Sequence, residues 1–589
     1  MTSNEIRSKF LEYFKQKGHT IVPSSSLIPD DPSVLLTTAG MQQFKPYYSE
    51  LDPTTAVHPS LGKPIGKNAC SVQKCFRTSD IDEVGDVSHL TMFEMLGNFS
   101  FGGYFKKEAI EFAHEFITNV MGLPISYVTV FKGSDLVPKD ADSKKIWQSL
   151  GVKDIREEGM EDVFWGPTGS GGPCGPCTEL YVKTPEGKDV EVWNLVFNEF
   201  ICPSSREDLL AGKSKLEKLA RPGVDTGMGF ERLVIMVQKV KSIYDTDLFQ
   251  SLFGKILSNE NQKSARIVCD HLRSTVFLLA DGITPSNKDR GYVLRRVTRR
   301  LIVHAMRIGM QREVLKNEYL DAVINAYADT YPELKTNRQT VHDEFEKESA
   351  KFANTFEKGL AEFKKRFPQT AEKKTVGSEA FDLYQSFGLT PDVLRDLLSE
   401  AGYAFDEPSF EKEFKKHQAI SKAGAEGKFG GHGLDQAGAM SEDDAKKMTR
   451  LHTATHLLHK ALRIVLGDQV EQQGSDITPE RLRFDFSYPQ KLSPEQLLAV
   501  QKIVNDEILN DLPVIVQEMP FKQAVAEGAL AFFKNKYPET VKVYSMQGFS
   551  KEVCGGPHVT HTAEVGRVKI VKEEAVSAGV RRIRAVLEQ

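Results

Sequence analysis

The chain has 589 residues, and at roughly 150 residues per domain this length predicts several packing units. Hydrophobic residues make up 40% of the chain and charged residues 27%, a balance that excludes disordered, collagen-like and disulfide-scaffold proteins. The 76 basic and 81 acidic side chains give a net charge of −5, so a nucleic-acid partner would need a local basic patch.

Seven cysteines are an odd and sparse set for a chain of this length, which indicates reduced thiols or metal ligands. The opening segment MTSNEIRSKFLEYF lacks the basic and apolar regions of a secretion signal, and no run of about 18 apolar residues occurs. We therefore expect a cytoplasmic protein with no membrane partner.

The first predicted element is a helix in which Ile6, Phe10 and Phe14 share one face, with Ser3 as its cap and Gly18 as its end. From there to residue 245, short apolar runs are separated by Gly/Pro loops rather than by helices. This pattern is typical of an α+β fold with an antiparallel sheet. The strand-like segments are YVTVF (127–131), TELYV (178–182) and EVWNLVF (191–197).

Helical patterns dominate from residue 246 to about 420, with an apolar stripe from Val341 to Phe363. Six glycines between 424 and 438 would lose much conformational entropy on ordering, so this stretch is predicted to be a linker. A predicted helix (about 444–466) and the alternating strand RLRFDFSY (481–488) begin a compact α+β module. The predicted domain ranges are 1–245, 246–423, 424–443 (linker) and 444–589.

A metal site is the strongest chemical signal. His452 and His456 lie four residues apart on a predicted helix, so their imidazoles share one face, while Cys554 and His558 belong to the distant segment CGGPH. One cysteine and three histidines suit tetrahedral zinc, and four protein ligands describe a structural site better than a catalytic one. A zinc peptidase is excluded because its HExxH motif needs a glutamate where this chain has Thr453.

Cys174 and Cys177 form CGPC, a spacing known from thiol redox sites. Such sites place the first thiol at a helix N-terminus, whereas strand-like TELYV follows here. We therefore interpret the segment as a tight loop shaped by Gly and Pro.

The segment 288–307 holds seven Lys/Arg and one Asp. Its apolar positions predict an amphipathic helix with a basic face. A solvated face and a surface for RNA phosphates both stay open as interpretations. The arginines concerned are Arg295, Arg296, Arg299 and Arg300.

Two arginines and one acid stand next to glycine-rich or aromatic segments. Arg77 ends NACSVQKCFR (68–77), a possible strand, and VDTGMGFER (224–232) carries Asp225 before a predicted turn and Arg232 at a helix start. Two fixed cations beside a glycine-lined pocket suit a nucleoside triphosphate.

Taken together, these segments closely resemble the alanyl-tRNA synthetases, class II enzymes that activate alanine with ATP and charge tRNA. The resemblance spans both main parts of the chain in the family's order. It rests on TTAGMQQFK (37–45), QKCFR (73–77), FEMLGNFSFGGYF (93–105), GPCGPCTE (172–179), WNLVF (193–197), VDTGMGFER (224–232), PSNKDRGYVLRR (285–296), HTATHLLH (452–459), RLRFDFS (481–487) and CGGPHV (554–559).

The resemblance implies an α+β multidomain protein: a class II antiparallel-sheet catalytic domain, a helical tRNA-recognition domain and an α+β zinc-containing editing domain. Arg77 would bind the ATP α-phosphate and the alanine carboxylate, Arg232 the γ-phosphate and Asp225 the ammonium of L-alanine, with Mg²⁺ accompanying ATP. The remaining residues implied for the ATP and alanine sites are Trp165, Val192, Trp193, Asn194, Val196 and Gly229.

For tRNA(Ala), the resemblance implies that Asn287 and Asp392 read the G·U wobble pair of the acceptor stem, beside the basic helix. It also implies that 444–589 hydrolyses mischarged Ser-tRNA(Ala) and Gly-tRNA(Ala), with Zn²⁺ held by His452, His456, Cys554 and His558 and with Gln472 nearby. A pocket for a methyl side chain cannot strongly exclude glycine or serine, so a second, hydrolytic site has a physical reason.

Three departures from the family pattern stand out. The loop after Arg77 is shorter and Leu90 replaces a histidine, which puts ATP contacts from that loop in question. A small β-barrel and a C-terminal domain of typical members are missing, so we expect a monomer. Two rival hypotheses follow: a non-catalytic tRNA-binding paralogue, and a deacylase with a vestigial synthetase half.

Overall fold

The computed structural model describes residues 1–31, 33–167, 169–370, 374–426, 441–531, 538–577 and 580–588, with backbone only for 392, 417–426 and 575–577. It divides into two compact units, Met1–Glu407 and Pro408–Gln589. Among the described residues, every helix is too short or too polar to cross a lipid bilayer.

The first unit is built on a large sheet, which has nine strands within the described ranges. Its order is β1-β4-β5-β11-β10-β9-β6-β7, with β8 paired to β9. Neighbours are antiparallel except for β1 with β4 and β6 with β7. The sheet strands are β1 (Thr20–Ile21), β4 (Asn68–Phe76), β5 (Met92–Ser100), β6 (Ile125–Phe131), β7 (Ile155–Glu158), β8 (Phe164–Trp165), β9 (Gly172–Lys183), β10 (Asp189–Cys202) and β11 (Glu217–Gly229); the short pairs are β2 (Val57–His58) with β3 (Lys63–Pro64) and β12 (Thr375–Val376) with β13 (Ala404–Phe405).

The first helix, α1 (Ser3–Gln16), buries the predicted face of Ile6, Phe10 and Phe14 against the sheet. Its cap differs from the prediction by one residue. The Thr2 side chain accepts from the Glu5 amide and the Glu5 carboxylate accepts from the Thr2 amide, so Thr2 rather than Ser3 closes the helix N-terminus.

Two glycine-rich segments predicted as a loop and a turn are strands. CGPC lies inside β9, and the VDTGMG segment forms the end of β11. Glycine and proline lower strand propensity, but both segments are paired with β10 in the middle of the sheet, and these pairings satisfy the backbone. At Gly175 an added Cβ would lie 1.8 Å from the Phe197 carbonyl oxygen, so only glycine fits there.

The helices that follow the sheet share its core. One cluster of buried side chains runs from Ile6 through Trp193 to Phe345, so the predicted boundary at 245/246 lies inside a single compact unit. The predicted stripe from Val341 to Phe363 is buried along the long helix α13. The helices are α2 (Lys45–Ser49), α3 (Lys106–Glu115), α4 (Ala141–Ser149), α5 (Arg206–Leu210), α6 (Phe230–Gln238), α7 (Asp247–Leu257), α8 (Gln262–Ala280), α9 (Asp289–Arg307), α10 (Arg312–Val314), α11 (Leu320–Tyr327), α12 (Glu333–Thr336), α13 (Arg338–Arg366), α14 (Ser378–Phe387), α15 (Pro391–Glu400) and α16 (Glu407–Glu426).

The second unit packs two helices, α17 (Glu442–Leu466) and α18 (Pro494–Leu509), on one face of a four-stranded sheet of order β14-β15-β20-β19. A three-stranded sheet, β16-β17-β18, lies in the same unit. The strands are β14 (Gln472–Thr478), β15 (Arg481–Ser487), β16 (Val514–Pro520), β17 (Thr540–Met546), β18 (Ser550–Val553), β19 (Val568–Ser577) and β20 (Val580–Leu587), and a short helix α19 (Phe521–Ala526) follows β16. Most of the predicted linker 424–443 lies outside the described residues.

Candidate active site and metal centre

An open cavity with about 710 Å³ of empty space lies at the predicted nucleotide site. Its walls come from the end of β4, the loop that follows, β5, β10, β11 and the start of α6. The lining residues include the predicted Arg77, Gly229 and Arg232, together with Phe93 and Glu191, which the sequence interpretation did not assign.

The two arginines are held differently. The Arg77 guanidinium lies 4.8 Å from the centre of the Phe93 ring and is exposed. Arg232 donates to the Glu191 carbonyl oxygen at 3.1 Å and to its carboxylate at 3.2 Å, with half of its side chain exposed. An added Cβ at Gly229 would touch the Arg232 stem at 3.4 Å, so glycine there leaves the arginine room beside the cavity. Two cationic groups thus face one cavity, as a triphosphate requires.

The residues predicted to bind alanine lie on β10 and β11, in register with the cavity-lining Gly227. Asn194 of β10 lies directly opposite Gly227 of β11, which lines the cavity, and Val196 lies opposite Asp225. Residues opposite each other in an antiparallel pair point to the same face, so Asn194, Val196 and Asp225 share it. Asp225 is 5% exposed, and burial raises the pKa of its carboxyl to about 7. Among the described residues its carboxylate has no hydrogen-bond or ion-pair partner.

Three predicted residues need correction. The Trp193 side chain points to the opposite face of the sheet, where it packs with Phe10, Phe14 and Phe116 in the core. Val192 is buried in the same core cluster, so neither side chain lines the cavity. Trp165 packs between two small apolar clusters at the side of the sheet and is not among the residues that line the cavity. The sequence predicts that the segment 192–194 lies beside the site, but the burial of each strand face decides which of its side chains face the ligand.

The four predicted metal ligands come together in the second unit. One ligand atom from each of His452, His456, Cys554 and His558 lies within 4.8 Å of the others. The two helix histidines are supplied by α17, and the other two ligands follow β18. The Nε2 atoms of His456 and His558 are buried and accept or donate no hydrogen bond. Unpaired buried nitrogens that converge with a thiol are the expected donor set of a zinc site.

Each imidazole is fixed through its other nitrogen. Nδ1 of His452 lies 3.0 Å from the Pro557 carbonyl oxygen, and Nδ1 of His456 lies 2.8 Å from the Glu552 carboxylate. Nδ1 of His558 lies 3.3 Å from the Thr453 hydroxyl. Such partners set ring orientation and leave Nε2 for the metal. Thr453, the residue that excludes a zinc peptidase, therefore helps to orient the imidazole of His558.

The sequence interpretation also placed Gln472 in this site. Its amide donates to the Ser475 hydroxyl at 3.1 Å within β14, and no described contact joins it to the four ligands. His459, one helical turn beyond His456, contacts the same Glu552 carboxylate at 3.1 Å, and its ring packs at a tilt against Phe484.

The arginines of α9 make intramolecular contacts. Arg300 is 3% exposed and donates to the backbone carbonyls of Ile81 and Val84. Arg299 pairs with the buried Glu348 at 2.9 Å, Arg295 pairs with the same carboxylate at 3.1 Å, and Arg296 pairs with Asp82. The predicted RNA role of Arg300 is therefore wrong for a buried side chain, and the contacts of the other three fit a packed helix better than an open basic face.

The two predicted tRNA-reading residues differ in what the structure describes. Asn287 is exposed before α9, and its Oδ1 accepts from Arg295. Asp392 belongs to α15, and its side chain lies outside the described residues.

The CGPC cysteines are unsuited to redox chemistry. Both are fully buried in β9, and burial raises the pKa of Cys174 to about 12 and raises the pKa of Cys177 well above its usual value. A buried, protonated thiol is a poor nucleophile. All seven cysteines are free thiols.

Comparisons with known proteins agree with this geometry. The family model described as tRNA synthetases class II (A) matches residues 5–478, and the threonyl and alanyl tRNA synthetase second additional domain matches residues 541–584. The alanine–tRNA ligase of Borrelia hermsii is 43% identical over 618 aligned positions, covering 100% of both chains. This chain belongs to the alanine–tRNA ligase family.

Other alanine–tRNA ligases match as fully. That of Treponema pallidum is 43% identical, covering 100% of this chain and 98% of its own, and that of Dehalococcoides mccartyi is 35% identical, covering 99% and 80%. Among solved structures, a histidyl-tRNA synthetase of S. aureus is 13% identical with a TM-score of 0.27, covering 46% of this chain and 75% of its own, and no argument rests on it. The predicted fold class of an alanine–tRNA ligase, with a class II antiparallel sheet, helices and an editing-type module, is confirmed.

Several residues that support the two sites of this alanine–tRNA ligase family member were given no role by the sequence. Glu552 stands two residues before Cys554, and alternation on β18 could have suggested that it faces the same side. Glu179 and Glu191 reach the first site only through the pairing of β9 with β10, which a local sequence pattern does not reveal.

Proposed function

We propose that the protein activates L-alanine with ATP, transfers the alanyl group to tRNA(Ala), and hydrolyses mischarged Ser-tRNA(Ala) and Gly-tRNA(Ala) at a separate zinc site. One observation carries the first half: Arg77 and Arg232 line one cavity, and Asp225, a buried carboxylate without a partner among the described residues, lies two residues before the cavity-lining Gly227 on β11. Membership of the alanine–tRNA ligase family supports both halves.

The activation step needs charge stabilisation rather than proton transfer. The alanine carboxylate attacks the α-phosphorus in line and pyrophosphate leaves, so negative charge is redistributed over phosphate oxygens. Arg77 and Arg232 are placed to stabilise that charge, and ATP enters as its magnesium complex. Asp225 and Asn194 would hold the alanine ammonium, and the buried Val196 beside them would bound the space for a methyl group.

The second half of the proposal places zinc on His452, His456, Cys554 and His558. The orphaned, buried Nε2 atoms and the adjacent thiol fit this metal. A bound zinc ion would supply positive charge next to the ester of a mischarged tRNA. The chain's own residues orient the three imidazoles, through Pro557, Glu552 and Thr453.

Recognition of the tRNA(Ala) acceptor stem and its G·U pair by Asn287 and Asp392 belongs to the same proposal. The exposed position of Asn287 supports it. A monomeric state and a cytoplasmic location also stay predictions, and light scattering on the purified protein tests the first.

Amino-acid-dependent ATP–pyrophosphate exchange without tRNA tests the activation half directly. We expect exchange with alanine, weaker exchange with serine and glycine, and none with larger amino acids. Absence of exchange with every amino acid, from folded protein, would overturn the activation half and leave a tRNA deacylase as the function.

A further inference from the structure

The side-chain amide of Asn194 is held from one side. Its Nδ2 donates to Glu179 Oε1 at 3.3 Å, and Glu179 stands directly across from Asn194 in the pairing of β9 with β10. Cys177, two residues earlier on the same face of β9, also interacts with the Asn194 side chain. The nitrogen end of the amide is therefore directed towards β9.

The oxygen end of the same amide is directed the other way. β10 lies between β9 and β11 in the sheet, and an amide is planar, so an Nδ2 on the β9 side puts Oδ1 on the β11 side. Asn194 Oδ1 is buried and has no hydrogen-bond partner. A buried acceptor without a donor costs free energy unless a ligand supplies one.

On the β11 side, Asp225 is a second acceptor without a donor among the described residues. It lies diagonally across from Asn194, because Asn194 is opposite Gly227 and Asp225 is two residues earlier on β11. Gly227 contributes no side chain between them. A carbonyl oxygen and a carboxylate on either side of a glycine, over which the Met95 side chain lies, make an acceptor pair. A primary ammonium with three N–H donors fits that pair.

We propose that Glu179 is a positioning residue for amino-acid binding: it fixes the Asn194 amide so that Oδ1, not Nδ2, faces the substrate ammonium. This inference rests on the proposed function, since it concerns the same alanine pocket. In the flipped orientation, Oδ1 would face the Glu179 oxygens, and Nδ2 would present donors to a cation, so both ends would be mismatched.

Glu179 itself is held in place by its neighbours. The Tyr181 hydroxyl donates to Oε2 at 2.9 Å and the Thr129 hydroxyl donates to the same oxygen at 3.3 Å. These two bonds occupy Oε2 and leave Oε1 for Asn194. Burial, and next the Glu191 carboxylate, raise the pKa of Glu179 to about 7, which marks an acid kept in place at an electrostatic cost.

The test is pyrophosphate exchange with three single variants of the full chain. Glu179→Met keeps volume and removes the acceptor, whereas Glu179→Gln keeps an oxygen that can accept from Asn194. We expect Glu179→Met to raise the KM for alanine about tenfold or more, with the KM for ATP unchanged, and Glu179→Gln to stay within about threefold of the wild type. Glu158→Met, on β7 of the same sheet, is the matched control and should leave both constants unchanged.

A double-mutant cycle separates positioning from general support. If Glu179 acts through the Asn194 amide, then Glu179→Met has no further effect in an Asn194→Ala background. Additive effects would overturn the proposal, as would an unchanged KM for alanine in Glu179→Met. Equal rises of both KM values in Glu179→Met and Glu179→Gln would also overturn it, by showing a purely structural role. If Glu179→Met does not fold, a KM for alanine raised tenfold in Glu179→Gln contradicts the proposal and a KM near wild type supports it.

Failure of the proposed function is distinct, because the wild type itself would then show no exchange.

Discussion

At the residue scale, Asp225 combines two properties that rarely occur together: a buried carboxyl group, and no partner for it among the described residues. Burial raises its pKa to about 7, so the charged form needed for an ammonium ion is only partly populated near neutral pH. A ligand cation would restore the missing partner. This is the electrostatic pattern of a binding site rather than of a structural ion pair.

The pH dependence of alanine binding follows from that pKa. Below about pH 7 Asp225 is neutral and cannot pair with the ammonium, so the KM for alanine should rise as the pH falls from about 8 to about 6, while the KM for ATP changes little. Exchange kinetics at several pH values check this, and a KM for alanine that is flat over this range would contradict it.

The same carboxyl links pH to stability. Its folded pKa lies above the unfolded value of about 3.9, so its contribution to stability is present at low pH and is lost as the pH rises through about 7. We expect Asp225→Asn to raise the melting temperature at about pH 8 and to have a smaller effect at about pH 5. Calorimetry on both proteins tests this, with an exposed substitution such as Asp52→Asn as control. A lower melting temperature for Asp225→Asn at the higher pH would show that the carboxylate has a structural partner.

Glu552 is the residue that orients His456 for the metal. Its loss should weaken zinc binding about 10- to 100-fold without removing a ligand. Competition with a chromophoric chelator would measure the affinity of Glu552→Gln, and the exposed Glu518→Gln on β16 provides the control. Equal zinc affinity in both variants would show that Glu552 does not contribute to zinc binding.

At the scale of secondary-structure elements, α9 shows how a basic sequence becomes a structural helix. Its arginines reach the loop after β4, α13 and the backbone before α15. A guanidinium has five donors on a long stem, so a helix of arginines can join several elements around it. The basic composition of α9 therefore predicts that its arginines bind oxygen acceptors. It does not predict whether these acceptors are RNA phosphates or carbonyl and carboxylate oxygens of the same chain.

Arg300 gives the clearest test of that interpretation. Arg300→Ala leaves the buried carbonyl oxygens of Ile81 and Val84 without their donor, and we expect a loss of about 3 kcal/mol or more in the free energy of unfolding. Denaturant unfolding measures it, and the exposed Lys288→Ala at the start of the helix should change stability by less than about 0.5 kcal/mol. An Arg300→Ala protein of normal stability with a raised KM for tRNA would restore the RNA role.

At the scale of the whole molecule, the chain carries two chemically unlike sites in separate compact units. The first offers cations and a carboxylate to ATP and an amino acid, and the second offers nitrogen and sulfur donors to a metal. We therefore expect that a substitution in one site abolishes the activity of that site and leaves the activity of the other site intact.

Two substitutions test that independence. Asp225→Ala should abolish alanine-dependent pyrophosphate exchange and spare hydrolysis of Ser-tRNA(Ala), because the charge that pairs with the ammonium is lost. Cys554→Ala should release zinc, measured by metal analysis, and stop hydrolysis while leaving exchange near the wild-type rate. Loss of both activities in either variant would contradict two separable sites.

The sequence by itself predicted the four residues of the candidate metal site, which the structure brings together, and the charged groups of the first site. His452 and His456 are fixed by helical spacing, and an i, i+4 pair shares a face wherever the helix lies. The first helix and the stripe of α13 were likewise predictable, since apolar periodicity is a local property. The resemblance added the roles of Arg77, Asp225 and Arg232.

Only the tertiary structure decided which side chains face which way and which charges are already paired. Trp193 lies in the core and Asn194 at the pocket because of where the sheet buries each face of β10, and CGPC is a strand because β10 pairs with it. Arg300 is internal because Ile81 and Val84, more than two hundred residues earlier, accept its hydrogen bonds. Pairing between distant segments sets these outcomes, because a local pattern carries the propensity of an element but not the identity of its neighbours.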